Sequence, residues 1–294
     1  MNESILLESQ THHLSDLSTK EIIQLQTEMS LKLKLPKYFS DPMKRGGSAP
    51  EVAIIPTGLF EMGSNKDEFG HYREEYPQHY IQIRKPFAIG RYTVTADDFK
   101  KFQQDTEWYQ RPELLWAKNK EPVINIRLSD MKLYLHWLSD QTGQSYRLPT
   151  EVEWEYAARA GTNTAFHFGE TISCKEVHFD STAPYEEARQ KKKWFIPRCF
   201  PMPKAIPVGS KPANSWGLYE VHGNVWEYTS TRWKNSHLNA NRDGSENRVS
   251  NSPWYVTKGG SWFDAAILAR SAARKKRLDD EMDTNLGFRI LREL

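Results

Sequence analysis

Cysteine, charge imbalance and long apolar runs are all scarce in this sequence, and each shortage excludes something. Only two of the 294 residues are cysteine, Cys174 and Cys199. They allow at most one bridge and lack the close pairing of a zinc knuckle or a CxxC redox motif, so a reducing, cytoplasmic setting is the default expectation. Forty Lys and Arg stand against 38 Asp and Glu, a formal balance of +2, which is too small for a dedicated nucleic-acid binder. The longest uninterrupted apolar run is the short segment Ala265 to Ala269, whereas a membrane helix needs about 20 residues. Met1 to Gln10 holds two Glu and no Lys or Arg, unlike the usual secretion signal. Neither nucleic acid nor membrane is therefore expected as a partner. A nucleotide-binding GxGxxG, a Walker lysine and an evident set of three histidines are missing as well.

What the sequence does have is aromatics, 10 Trp, 13 Tyr and 13 Phe, within a hydrophobic content of 38%. That is enough to fill a core in a chain of this length. Ser18 with Glu21 makes a capping box ahead of Ile22, Ile23, Leu25 and Met29, and Pro36 ends the helix so started. Lys44 to Pro50 reads as a linker by its glycine, serine and proline content. The chain thus divides at residue 50 into an N-terminal helical extension with linker (1–50) and a main domain (51–294).

Within the main domain, Val52 to Met62 is broken by Pro56 and Gly58 into two short strands. A second strand pair is expected at Tyr80 to Ile83 and Phe87 to Tyr92. Three helices follow, opened by Thr95 with Asp98, by Ser129 (closing at Gly143), and by Thr150 with Glu153 (closing at Gly161). From Thr162 onward no good helix is evident. Short apolar and aromatic runs alternate there with Asn, Gly, Ser and Pro, the pattern of a loop-rich α+β fold. Glu186 to Lys193 and Lys234 to Ser252 read as surface excursions.

Five segments in order form one signature: GLFEMGS (58–64), YRLPTEVEWEYAARAG (146–161), NSWGLYEVHGNVWEY (214–228), KGGSW (258–262) and NLGFR (285–289). The signature resembles the formylglycine-generating enzyme family, or sulfatase-modifying factors. The resemblance implies a variant of the C-type-lectin-like fold, loop-rich α+β and sometimes calcium-binding. Family members that make formylglycine share a GGSxxCHxSYC segment whose two cysteines bind copper. Here that run reads GGSWFDAAILAR (259–270), with Asp264 where the first cysteine would stand and no cysteine after Cys199. A soft copper site requires thiolate or thioether ligands, so neither copper nor formylglycine generation is expected. A branch that forms carbon–sulfur bonds uses iron held by histidines of an added helical domain. It is disfavoured, since His12 and His13 are adjacent rather than spaced along a helix face.

The resemblance also points to a calcium site at Asn224 and Glu227, where an amide oxygen, backbone carbonyls and a carboxylate suit a hard cation. The alternative is that Asn224 caps a turn and Glu227 makes a salt bridge. His222 reads as a packed, hydrogen-bonded histidine. Arg270, Arg274 and Arg289 suit buried carboxylates or anionic substrate groups, and the structural role is favoured. Ser261, Trp262 and Asp264 are the candidate ligand-binding residues, with Arg274 a possible partner of Asp264 or of a ligand anion. Catalytic residues are not identified, because a serine without a neighbouring base is no nucleophile. The expectation is a ligand- or protein-binding module for an unspecified peptide, protein or small molecule. The alternative is a non-canonical oxidoreductase or maturation enzyme acting on a peptide or a peptide-derived metabolite.

Overall fold

The computed structural model describes residues 13–192, 194–197, 199–238, 240 and 252–294. The acidic start, His12 and most of the 234–252 excursion lie outside the described residues. Helix α1 (Thr19–Leu33) has the Ser18–Glu21 capping box and ends at Lys34 in the left-handed region, φ 55°. One polar side chain fastens it to the rest: buried Gln26 donates to the carbonyls of Ile54 at 2.9 Å and Trp216 at 3.0 Å. Residues 44–50 form a turn between β1 (Tyr38–Phe39) and β2 (Val52–Ile55), which pair antiparallel with Tyr38 opposite Ala53.

These strands belong to a five-stranded sheet in the order β1-β2-β5-β11-β6, where β5 is Phe87–Gly90, β6 Tyr146–Arg147 and β11 Leu291–Glu293. Its strands β2 and β5 are buried on both faces, and period-2 alternation sorts the sheet's residues. Val52, Ala88 and Ile290 face a core made with α2 (Ala96–Thr106) and α3 (Leu128–Thr142), which supply Phe99, Phe102, Tyr134 and Leu138. Ala53, Ile55, Ile89 and Leu291 face a second core with Leu14 and Ile22, and with Trp154 and Ala157 of α4 (Glu151–Arg159).

The runs expected as a second strand pair are both strands, but they do not pair with each other. β4 (His79–Ile83) joins β3 (Gly58–Met62), while β5 inserts between β2 and β11. Arg84, Lys85 and Pro86 between them supply no residue suited to the positive φ of a tight hairpin turn. The chain therefore passes from one sheet to another. Helix α3 starts at Leu128, one residue before the expected Ser129, because Asp130 accepts the Arg127 backbone N–H at 2.9 Å. α4 carries its capping box as expected but ends on Ala160 at φ 45°, one residue before Gly161. A five-residue helix, α5 (Tyr185–Arg189), lies in the stretch expected to have none.

A second sheet runs β10-β7-β8-β9, with β7 Trp226–Arg232, β8 Trp254–Lys258, β9 Arg274–Leu278 and β10 Leu286–Phe288. Only β10 and β7 are parallel among its pairs. The signature segments NVWEY, KGGSW and NLGFR thereby come together on three adjacent strands. Cys174 and Cys199 form a disulfide. Such bridges persist in oxidising compartments, so the cysteine count no longer argues for a reducing one. Among the described residues no helix is long and apolar enough to cross a membrane.

Candidate functional site

The loop after β8 starts at Gly259 and Gly260, both at positive φ (98° and 73°). A Cβ on Gly260 would lie 2.8 Å from the Leu268 carbonyl oxygen, so only glycine lets the loop turn so close to the segment that follows. Trp262 N–H donates to the Asn224 carbonyl at 2.9 Å, and Asp264 N–H returns to the Ser261 carbonyl at 3.1 Å. Ser261 and Asp264 are thus brought together. The Ser261 hydroxyl donates to Asp264 Oδ2 and accepts from Asn285 Nδ2 at 3.1 Å. Oδ2 also accepts from the indole N–H of Trp226 at 2.7 Å, and Lys275 Nζ stands 3.5 Å from Oδ1.

Arg274 does not reach Asp264. Its guanidinium pairs with Glu151 at 2.7 Å, donates to the carbonyls of Glu74 and Lys234, and lies 4.5 Å above the Trp233 ring. Alternation along β9 puts consecutive residues on opposite faces, and Lys275 is the one that faces Asp264. Trp262 is partly buried against Ile124, Ala205 and Val225, with its N–H on the Thr284 carbonyl at 3.3 Å. Phe263 beside it is 67% exposed. The loop thus anchors a serine and an aspartate inward and presents aromatic surface outward.

The side chains of Asn224 and Glu227 each have other partners. Asn224, at φ 65°, uses its amide on one residue, accepting from Ile206 N at 2.9 Å and donating to Ile206 O at 3.1 Å. Glu227 is taken by a bidentate pair with Arg289 (2.8 and 3.0 Å) and by the Trp154 indole N–H at 2.6 Å. Both carboxylate oxygens already accept from charged or indole donors at a fully buried position. Among the described residues no group of three His, Cys, Asp or Glu could hold a metal ion.

His222 is the packed histidine expected from sequence. Its Nδ1 contacts the Ala269 carbonyl at 2.6 Å, and Nε2 accepts from His167 N–H at 3.1 Å. Burial, with His167 beside it, holds its pKa well below the usual value, and burial pulls His167 itself down to about 4. Further arginines are likewise spent on carboxylates: Arg270 on Glu75 and Glu68, Arg159 on Glu155, and Arg147 on Glu153. Glu155 is held down to about 2: burial opposes its charge, and Lys258 and Arg159 overcome that opposition.

The sequence profile of the sulfatase-modifying factor enzyme 1-like domain matches residues 38–294. The chain belongs to this family. Mouse formylglycine-generating enzyme is 32% identical over 81% of this chain and 74% of its own length. The bovine inactive Cα-formylglycine-generating enzyme 2 is 24% identical over 83% and 88%. The structure of PvdO from Pseudomonas aeruginosa is similar at 30% identity and a TM-score of 0.73, covering 87% of this chain and 98% of that one. The loop-rich α+β organisation expected from the signature is therefore that of the family.

Sequence reasoning passed over Lys275 and the pockets outside the signature. One of about 360 Å³ lies beside the disulfide, among Phe168, Ile172, Phe179 and Ile196. Another lies between α2 and α3. Their residues come mostly from irregular segments, with a few from the ends of α3 and α5, and their mutual approach leaves no periodic trace in the sequence.

Proposed function

We propose that this family member does not generate formylglycine and instead uses the Ser261–Asp264 loop as a binding surface for a peptide, protein or small molecule. What carries this reading is the state of Asp264. The side chain at the position where the family's first copper-binding cysteine stands is a carboxylate, and it is spent on Ser261, the Trp226 indole and Lys275. The second thiol position falls on Ala269, which is 1% exposed and whose carbonyl faces His222. No thiol is available to bind copper or exchange with a substrate cysteine. The outward aromatic pair Trp262 and Phe263, with ring centroids 5.5 Å apart, offers the kind of surface that recognition sites use.

The test is direct. Incubated with copper(I) and a cysteine peptide of sulfatase type, the protein is expected to leave the peptide mass unchanged. Copper-dependent loss of the thiol with appearance of the aldehyde overturns the reading.

A further inference from the structure

Between α2 and α3 the chain from Glu107 to Arg127 has no regular structure and folds around a pocket of about 260 Å³. Trp108 and Trp116 form one wall, edge to face with centroids 5.7 Å apart. Both indole N–H groups are turned onto the protein, Trp108 to Asp130 Oδ1 at 3.0 Å and Trp116 to the Arg111 carbonyl at 2.6 Å. The rings are thereby fixed. Arg111 and Arg127 line the same pocket. Among the described residues neither guanidinium makes a hydrogen bond or an ion pair, and Arg127 Nε is buried without any partner. This sets them apart from Arg159, Arg270, Arg274 and Arg289, each of which holds a carboxylate within 2.9 Å.

The one carboxylate in the lining does not serve them. Asp130 Oδ1 accepts from Trp108 and Oδ2 from the Arg127 backbone N–H, at the start of α3. Asp279 and Asp280 share a neighbouring cleft with Arg127 but form no ion pair with it. Arginine has no neutral form to retreat into, and a partly buried guanidinium without an acceptor is costly. An anion placed between Arg111 and Arg127 removes that cost.

We infer that this pocket binds a small planar anion, an aromatic or heteroaromatic carboxylate. Its ring lies against Trp108 and Trp116 and its carboxylate is held by Arg111 and Arg127. The forked guanidinium matches a carboxylate with paired hydrogen bonds, the indole wall favours a flat ring, and the volume suits one or two rings. The inference does not depend on the reading of the Ser261–Asp264 loop, and the peptide assay and the titration below share no residue, so either can fail alone.

The probe is 4-hydroxybenzoate, titrated calorimetrically into the full chain. Its neutral isostere 4-hydroxybenzamide and inorganic phosphate are titrated in parallel. Saturable binding of the acid is expected, weaker by about tenfold or more for the amide and for phosphate. Arg127→Gln and Arg111→Gln are each expected to weaken the acid by a similar factor with the melting temperature unchanged, since neither side chain has a partner to lose. Arg84→Gln, an exposed control, keeps full affinity. The inference is overturned if the acid shows no saturable binding, if the amide or phosphate binds as tightly, or if both arginine variants keep wild-type affinity. Lowered melting temperatures in both variants, with affinity per folded molecule intact, overturn it too, by making the arginines structural.

Discussion

Replacing Asp264 by alanine tests whether this side chain is a structural anchor. Its carboxylate accepts from the Trp226 indole N–H and the Ser261 hydroxyl, while Lys275 stands 3.5 Å away. Trp226 has no exposed surface, so its donor cannot turn to water when the carboxylate goes. A buried donor left unpaired costs about 1–3 kcal/mol, and a hydrogen bond to a charged group contributes about 1.5–3 kcal/mol. Lys275 is partly exposed and adds little. The expected loss for Asp264→Ala is about 2–4 kcal/mol. Unfolding entropy near about 2.1 cal/mol/K per residue makes that a drop of about 3–6 °C in a chain of 294 residues. Asp264→Asn keeps an oxygen for the Trp226 donor and should lose only about 1 kcal/mol. Scanning calorimetry on the three proteins decides it. A shift below about 1 °C for the alanine variant, or an asparagine variant as destabilised as the alanine one, refutes the reasoning.

Because the Glu227 oxygens are already engaged by Arg289 and Trp154, a chelator should leave the melting temperature unchanged. Glu227→Ala should cost about 3–5 kcal/mol by stranding a buried guanidinium, and a chelator-dependent melt in the wild type would support calcium at Asn224 and Glu227. Desolvation pulls the pKa of half-buried His167 down to about 4 from an ordinary 6.5, and shifts that of buried His222 in the same direction. Depressed folded values mean that stability is complete above pH 6.5 and is lost as pH falls towards 4, at up to about 1.4 kcal/mol per pH unit for each histidine. Urea unfolding that is flat between pH 7 and pH 5 would contradict this. The Cys174–Cys199 bridge spans 25 residues, which corresponds to about 3.5 kcal/mol of stabilisation by chain entropy. A reductant should lower the urea midpoint, and two alkylatable thiols in the denatured, unreduced protein would show that no bridge exists.

Elements with local chemical punctuation were legible in the sequence. The capping boxes at Ser18, Thr95 and Thr150 give α1, α2 and α4, since two residues three positions apart suffice to satisfy two of the backbone N–H groups at a helix start. The break at Pro56 and Gly58 likewise separates β2 from β3. Five ordered segments carried the family and, with it, the loop-rich α+β organisation. Pairing was not legible: β4 and β5 are sequence neighbours in different sheets, because strand partners are chosen by long-range packing rather than by local preference.

The candidate site divides in the same way. Ser261 and Asp264 stood out in the sequence as neighbours in one loop, and the turn of that loop joins them by a hydrogen bond. That Lys275 rather than Arg274 faces Asp264 depends on which side of β9 points at the loop. The side-chain oxygens of Asn224 and Glu227 accept from Ile206, Arg289 and Trp154, residues distant in sequence. Arg111 and Arg127 look in the sequence like any other surface arginines. Only the fold places two tryptophans beside them and, among the described residues, no free carboxylate. Local composition therefore determined the elements and the family, while the tertiary structure decided which polar groups are spent on one another and which remain open, because that depends on partners brought in from remote parts of the chain.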